Sequence, residues 1–152
     1  MFRKRMKQGE IIIRPAREGD IPAMLALWSG IKEIQSASVP DNPEQVKRFM
    51  ELNPTSFLVA CRADRLAGTI MGGYNGWRGA IYHLSVDESC RGQGIAKQLM
   101  IYCLDALRQL GAPRVDLTTY DYNTRAQGFY EALGFFERDD IKNYSYLYEA
   151  GK

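Results

Sequence analysis

The stretch that most constrains this chain is Leu84-Ser85-Val86-Asp87-Glu88-Ser89-Cys90-Arg91-Gly92-Gln93-Gly94-Ile95-Ala96-Lys97-Gln98-Leu99. It passes from an apolar strand through a short polar link and a glycine-bearing basic turn into an amphipathic helix. That order can hold a phosphate, because unpaired backbone N–H groups and the positive end of the helix dipole face one point. Gly92 and Gly94 permit positive φ and remove the Cβ atoms that would keep a pyrophosphate off the amides; Arg91 adds charge at the rim, and Ala96 leaves room for close approach. Gly-x-Gly turns also join strands to helices for purely steric reasons, so a second signal is needed. Two familiar phosphate motifs do not apply: the third position of G-x-G-x-x-G, counted from Gly92, is Lys97, and the G-K-[ST] of a P-loop is absent.

The rest of the chain reads as one α/β domain over 11–152 behind a basic tail, 1–10, expected to be disordered. Ile11-Ile12-Ile13-Arg14 is a first strand ended by Pro15. Asp20 is expected to cap a first helix, with Pro22 in its first turn and Ile21, Met24, Leu25 and Trp28 at helical spacing. A polar connector with Ser36, Ser38 and Pro40 leads to Asn42-Pro43-Glu44-Gln45, a variant capping box opening a second helix with Val46, Phe49 and Met50 inward. Residues 57–61 and 66–74 form an antiparallel hairpin, in which Gly72-Gly73 marks a bulge or a close approach to the backbone. Residues 80–86 are a further strand, on which strict alternation sets His83 opposite to Tyr82.

Ile95, Leu99, Tyr102, Cys103, Ala106, Leu107 and Leu110 define a long core helix ended by Gly111 and Pro113. Residues 114–119 form the next strand, parallel to the one before the helix. A helix over 124–133 stops at Gly134, and Phe135-Phe136 and Tyr144-Ser145-Tyr146-Leu147-Tyr148 read as two closing strands.

Composition narrows the partners. Lys plus Arg number 20 against 18 Asp plus Glu, and a net charge of +2 does not support wholesale nucleic-acid binding. Cys61, Cys90 and Cys103 are odd in number and lack C-x-x-C pairing, which argues against a disulfide framework and a zinc site and for a reducing cytoplasm. No apolar run approaches the ~18–20 residues of a membrane span. The Arg3-Lys4-Arg5-Met6-Lys7 cluster reads as solvated charge, with regulatory binding through it a lesser alternative.

These residues resemble the GCN5-related N-acetyltransferase (GNAT) family. Arg91-x-x-Gly94-x-Ala96 matches that family's [QR]-x-x-G-x-[GA] motif and follows a Leu84-x-Val86 strand end, and Asn123-x-x-Ala126-x-x-Phe129-Tyr130-x-x-x-Gly134-Phe135 matches its second cofactor segment. Two motifs in order, over most of the chain, make the resemblance specific. Within the family, Met71-Gly72-Gly73-Tyr74 to Val86 looks most like the small bacterial YpeA type.

The resemblance implies a mixed, mostly antiparallel sheet of six to seven strands, about four helices, and a parallel pair that splays at the cofactor site. It implies acetyl-CoA as co-substrate, no metal, and direct attack by a primary amine, borne by a small molecule or peptide, in a ternary complex. The Leu84-Ser85-Val86 backbone would pair with pantetheine through Leu84 and Val86. The amides of Arg91, Gly92, Gln93, Gly94, Ile95 and Ala96 would hold the pyrophosphate, with Lys97 near the ribose phosphate. Asn123 would hydrogen-bond pantetheine, although it equally suits a helix cap, and Tyr130 would protonate the leaving thiolate, a role that the motif register favours over the core packing usual for a helix-face aromatic.

The base stays open among Tyr82, His83, Glu88, Asp121 and water, with alternation favouring a packed His83. Ribosomal-protein acetyltransferases of the family carry a glutamate where this chain has Thr118. The acceptor site is expected between the first two helices, their 30–42 connector and the 74–79 turn. Use of another acyl-CoA, or CoA binding without catalysis, are the rival readings; either a monomer or a homodimer is compatible with the sequence.

Overall fold

The β-branched run at the start of the chain becomes β1 (Ile11–Pro15), which pairs antiparallel with β2 (Phe57–Arg62). Next come β3 (Arg65–Tyr74) and β4 (Gly79–Val86), both antiparallel to their predecessors, and β5 (Val115–Asp116), parallel to β4. The spatial order is β1-β2-β3-β4-β5. This computed structural model describes residues 9–35 and 39–148, so the basic tail cluster, Ser36 and Ser38 lie outside the described residues. The backbone groups into two units, Met1–Thr118 and Thr119–Lys152.

In the first unit, helices cover both faces of the sheet. α1 (Ile21–Ser29), the single turn α2 (Lys32–Gln35) and α3 (Pro43–Leu52) precede β2, and α4 (Ile95–Leu110) follows β4. One core gathers Met24 and Trp28 of α1, Val46 and Met50 of α3, Phe57 and Val59 of β2 and Met71 of β3. Each large side chain fully removed from water there contributes about 1.5–3 kcal/mol before the entropy of ordering is subtracted.

The small residues of β3 are set by these helices. A Cβ on Gly68 would lie 3.1 Å from Leu99 of α4 and 2.8 Å from the Ser85 carbonyl, and one on Gly72 would strike the Cys103 thiol and lie 2.7 Å from the Ser56 carbonyl. On the opposite face, a Cβ on Gly73 would lie 2.9 Å from the Phe49 ring of α3. Gly72 and Gly73 therefore mark a close approach on both faces; the bulges of the sheet fall elsewhere, beside Ala60/Cys61 and between Thr69 and Met71.

Asn42 caps α3 as its sequence requires, its side chain accepting from the Gln45 amide at 2.9 Å behind Pro43. Asp20 does not cap α1. Its carboxylate accepts two hydrogen bonds from the Arg14 guanidinium, at 2.7 and 2.8 Å, and one from the Arg17 amide at 2.8 Å. The Arg14 guanidinium from β1 takes the place of the orphan amides of α1, because its fork offers the carboxylate two parallel bonds and a full positive charge.

The second unit holds α5 (Thr124–Ala132) and the chain that follows it. The two closing strands are not formed among the described residues, and the sheet has five strands rather than six to seven. The alternation in 144–148 survives only as three exposed tyrosines, with Tyr146 edge-on to Tyr148 at 5.3 Å, since a period-two pattern becomes a strand only against a ladder partner. The strand expected over 114–119 shortens to Val115–Asp116, and among the described residues the helices number five with α2.

Candidate functional site

β4 and β5 part almost as soon as they meet. Their register is Gly79↔Val115 and Ala80↔Asp116, and from Ile81 to Val86 that edge of β4 has no strand beside it among the described residues. A parallel pair that opens in this way leaves unpaired backbone groups on both sides of the gap, able to receive an extended polar ligand as an added strand. Leu84 and Val86 lie on this open stretch. The Val86 carbonyl accepts from Arg91 Nε at 3.2 Å, so the arginine of the turn folds back over the strand end.

The link between strand and helix is ordered by its own side chains. Asp87 accepts from the Ser89 amide at 3.0 Å and the Ser89 hydroxyl at 2.5 Å, closing a 3-10 turn over Glu88–Cys90; these bonds hold the Asp87 carboxyl below the usual carboxylate range. Gly92 and Gly94 then adopt left-handed φ of 77° and 79°, with nothing within 4 Å of where a Cβ would stand. The first helical bond runs from the Gln98 amide to the Gly94 carbonyl at 3.1 Å. The amides of Gly92, Gln93, Gly94, Ile95, Ala96 and Lys97 have no acceptor among the described residues. Six such donors, the helix dipole and the charges of Arg91 and Lys97 create an anion site of the kind a pyrophosphate fills. Arg62 of β2 donates to the Gln93 side-chain oxygen and steadies the turn from the sheet side.

Ser85 takes a different part. Its hydroxyl is buried against Thr69 Oγ1 at 2.7 Å, leaving only its backbone for a ligand. Thr69 also accepts from the Trp28 indole N–H at 2.9 Å and donates to the His83 carbonyl at 2.9 Å. His83 sits at φ 48° in a bulge, and its ring lies edge-on to Trp28 with centroids 4.8 Å apart, while Nε2 is 2.8 Å from Asp41 Oδ2. Tyr82 reaches the same face, edge-on to Phe49 at 6.1 Å. The expectation that His83 points away from Tyr82 is therefore corrected: the extra residue in the bulge breaks the alternation.

The other base candidates are less engaged. Glu88 is exposed in the 3-10 turn, and Asp121 is exposed in the second unit. Cys103 is buried, with a thiol pushed up to about 12 by burial, and is no thiolate at neutral pH.

Asn123 and Tyr130 stand on α5. Asn123 is the N-cap, its side-chain oxygen accepting from the Ala126 amide at 3.2 Å. Tyr130 packs edge-on to Phe129 at 5.6 Å and Phe135 at 5.8 Å, and burial pushes its phenol above the ordinary tyrosine value.

Among the described residues no group of three His, Cys, Asp or Glu could hold a metal ion, and no helix is long and apolar enough to cross a membrane. Asp41 and Thr69 were not legible as site residues; the nearest sequence signal was the position of Asp41 one residue before the Asn42 cap.

Solved structures similar to the chain agree in fold. Ard1 from Thermoplasma volcanium is 25% identical, with 83% of this chain and 82% of that one covered and a TM-score of 0.72. An aminoglycoside acetyltransferase from an uncultured soil metagenomic sample, in complex with trehalose, is 20% identical over 91% and 97% of the two chains, with a TM-score of 0.70. Glucosamine-6-phosphate N-acetyltransferase from Arabidopsis thaliana is 19% identical over 90% and 98%, with a TM-score of 0.65. The acetyltransferase (GNAT) family model matches residues 23–135, a span that begins in α1 and takes in the open edge of β4, the glycine turn and the segment from Asn123 to Phe135. The chain thus belongs to the acetyltransferase (GNAT) family.

Proposed function

We propose that this chain transfers the acetyl group of acetyl-CoA to a primary amine by direct attack in a ternary complex. One observation carries the reading: the open edge of β4 leads, through the short turn over Glu88–Cys90, to six unpaired amides in the glycine turn and the first turn of α4, an extended-ligand groove followed by an anion site. Pantetheine suits the first part and a pyrophosphate the second, and acetyl-CoA contains both. In this reading Leu84 and Val86 pair with the pantetheine arm, the Arg91 to Ala96 turn holds the pyrophosphate, and Lys97 neutralises the ribose phosphate. The motif register assigns Asn123 to pantetheine, a role its free side-chain NH2 allows beside the cap, and Tyr130 to protonation of the thiolate.

The chemistry asks little else of the protein. The amine nitrogen attacks the thioester carbonyl, a backbone N–H polarises that oxygen, and the C–S bond breaks with its electron pair on sulfur. Free Cys61, Cys90 and Cys103 suit a cytoplasmic setting, and the 71–86 segment supports a bacterial YpeA-type member, acting as a single domain over 11–152.

Thermal melting with acetyl-CoA, followed by assay of CoA release against butylamine, spermidine, lysine-containing peptides, an aminoglycoside and an amino sugar, tests the proposal. Expected are a rise in melting temperature and amine-dependent release of free CoA. Absence of any thermal shift would overturn the cofactor reading. A shift without release from any amine would leave a CoA-binding module in place of an enzyme, and release only with a longer acyl-CoA would reassign the donor.

A further inference from the structure

The centre of β4 carries a fault in its pairing. Its register with β3 is Thr69↔Ser85 on one side and Met71↔Tyr82 on the other, so His83 and Leu84 together face Ile70. His83 absorbs the extra residue in a left-handed conformation, at φ 48°, which is uncommon outside glycine and which histidine, like asparagine and aspartate, adopts more readily than other side chains. The fault is held from behind, since Thr69 Oγ1 donates to the His83 carbonyl at 2.9 Å and is itself fixed by the Trp28 indole. Such strain persists only where surrounding contacts over-determine it, and it gathers at functional sites.

Its effect is to turn the imidazole onto the Tyr82 face. There Nε2 lies 2.8 Å from Asp41 Oδ2, a carboxylate from the segment between α2 and α3, 42 residues away in the chain. A carboxylate only accepts, so Nε2 donates, and in the neutral imidazole Nδ1 keeps its lone pair. Nδ1 has no partner among the described residues, and the side chain keeps 20% of its surface exposed. Asp41 is the charged group bonded to the ring; Trp28 from α1, Thr69 from β3, and Tyr82 and Ser85 on β4 are the uncharged groups of that face.

We propose that His83 is the general base that takes the amine proton, and that Asp41 is its positioning residue. The inference rests on the acetyl-transfer reading, in which pantetheine runs from the glycine turn back along Val86 and Leu84 and brings its thioester to the bulge. The amine lone pair forms the C–N bond at the thioester carbon while one N–H proton passes to His83 Nδ1. The C–S bond breaks, its electron pair leaves on sulfur, and Tyr130 gives the thiolate its proton. The imidazolium returns a proton to the tyrosinate through solvent, so only amine and acetyl-CoA are consumed.

His83→Asn is the informative variant, because asparagine tolerates left-handed φ yet cannot take the proton. With the panel amine of highest turnover, kcat/KM should fall about 10²-fold or more while the melting shift given by acetyl-CoA is retained. Asp41→Asn should lower kcat about tenfold with KM for the amine and the acetyl-CoA melting shift unchanged, and Asp41→Glu should recover part of that kcat, which loss of a merely structural contact would not do. A wild-type protein that acetylates the amine, with His83→Asn within threefold of it and kcat unchanged in Asp41→Asn, overturns the inference and leaves acetyl transfer standing. A wild-type protein that acetylates no amine overturns both. If His83→Asn shows no acetyl-CoA shift, kcat in Asp41→Asn and its recovery in Asp41→Glu alone decide.

Discussion

Trp28 of α1 donates its indole N–H to Thr69 Oγ1 of β3 at 2.9 Å, in a core where both residues are fully buried. The bond locks the helix to the sheet at the point where β4 is faulted. A buried hydroxyl with three partners, the Trp28 indole, the His83 carbonyl and the Ser85 hydroxyl, leaves no polar atom of its neighbours stranded. It ties the fold of α1 to the shape of the candidate site.

Thr69→Val keeps the volume and removes the hydroxyl, leaving the indole N–H and the His83 carbonyl without their partner. Each orphaned buried group costs about 1–3 kcal/mol, so urea unfolding should show a loss of about 2–6 kcal/mol in total. Thr69→Ser restores the hydroxyl and should recover most of it. Equal stability of the valine and serine variants would mean that packing, and not the polar network, holds α1 in place.

Gly94 and Gly92 answer to backbone conformation and ligand access, not to crowding, since a Cβ at either would stand in open space. Gly94→Ala should cost about 1–2 kcal/mol, the usual strain of a left-handed alanine, and should cut the acetyl-CoA melting shift as well. Gly76→Ala is the control: its φ of 87° gives the same strain at an open turn between β3 and β4. There the acetyl-CoA shift should stay at its wild-type size.

What was legible in the sequence was local. The glycine turn, the Asn42 cap with Pro43, the β2–β3 hairpin and the crossover through α4 each depend on residues a few positions apart, and each formed as read. What was not legible depended on meetings across the chain. Strict alternation misplaced His83 because one extra residue, accommodated against Ile70, exchanges the faces of a strand. Asp20 has the composition of a cap, but β1 brings Arg14 to it first. Asp41 reaches His83 from another element, and no spacing rule could join them. The tyrosines of 144–148 carry a strand pattern without a strand, because the pattern names a face and not a partner.

The Arg14–Asp20 pair should make stability depend on acid pH. The guanidinium of Arg14 holds the Asp20 carboxyl below the usual carboxylate range, and both side chains are largely covered. A carboxyl depressed in the folded state stabilises fully above its unfolded value of about 3.9, and that contribution is lost as pH falls through the folded value. Asp20→Asn should therefore destabilise by about 1–2 kcal/mol at neutral pH, allowing for solvent screening of a pair that is not sealed. The gap between the two proteins should close as thermal melts are repeated from about pH 4 downward. A gap of constant size across that range would assign the loss to geometry and not to charge.

Tyr130→Phe isolates one oxygen. The ring edges against Phe129 and Phe135 remain, so the variant should melt within a few degrees of the parent and keep its acetyl-CoA shift. Burial raises the phenol above the ordinary value, which keeps it protonated through neutral pH; a donor must hold its proton until the thiolate leaves. On the proposed role, kcat with the panel amine should fall about 10²-fold with little change in acetyl-CoA binding. The raised value also sets a sign: the wild-type rate should show no alkaline loss from this group below about pH 10. Unchanged kcat in Tyr130→Phe would give the thiolate its proton from solvent and leave Tyr130 a packing residue of α5.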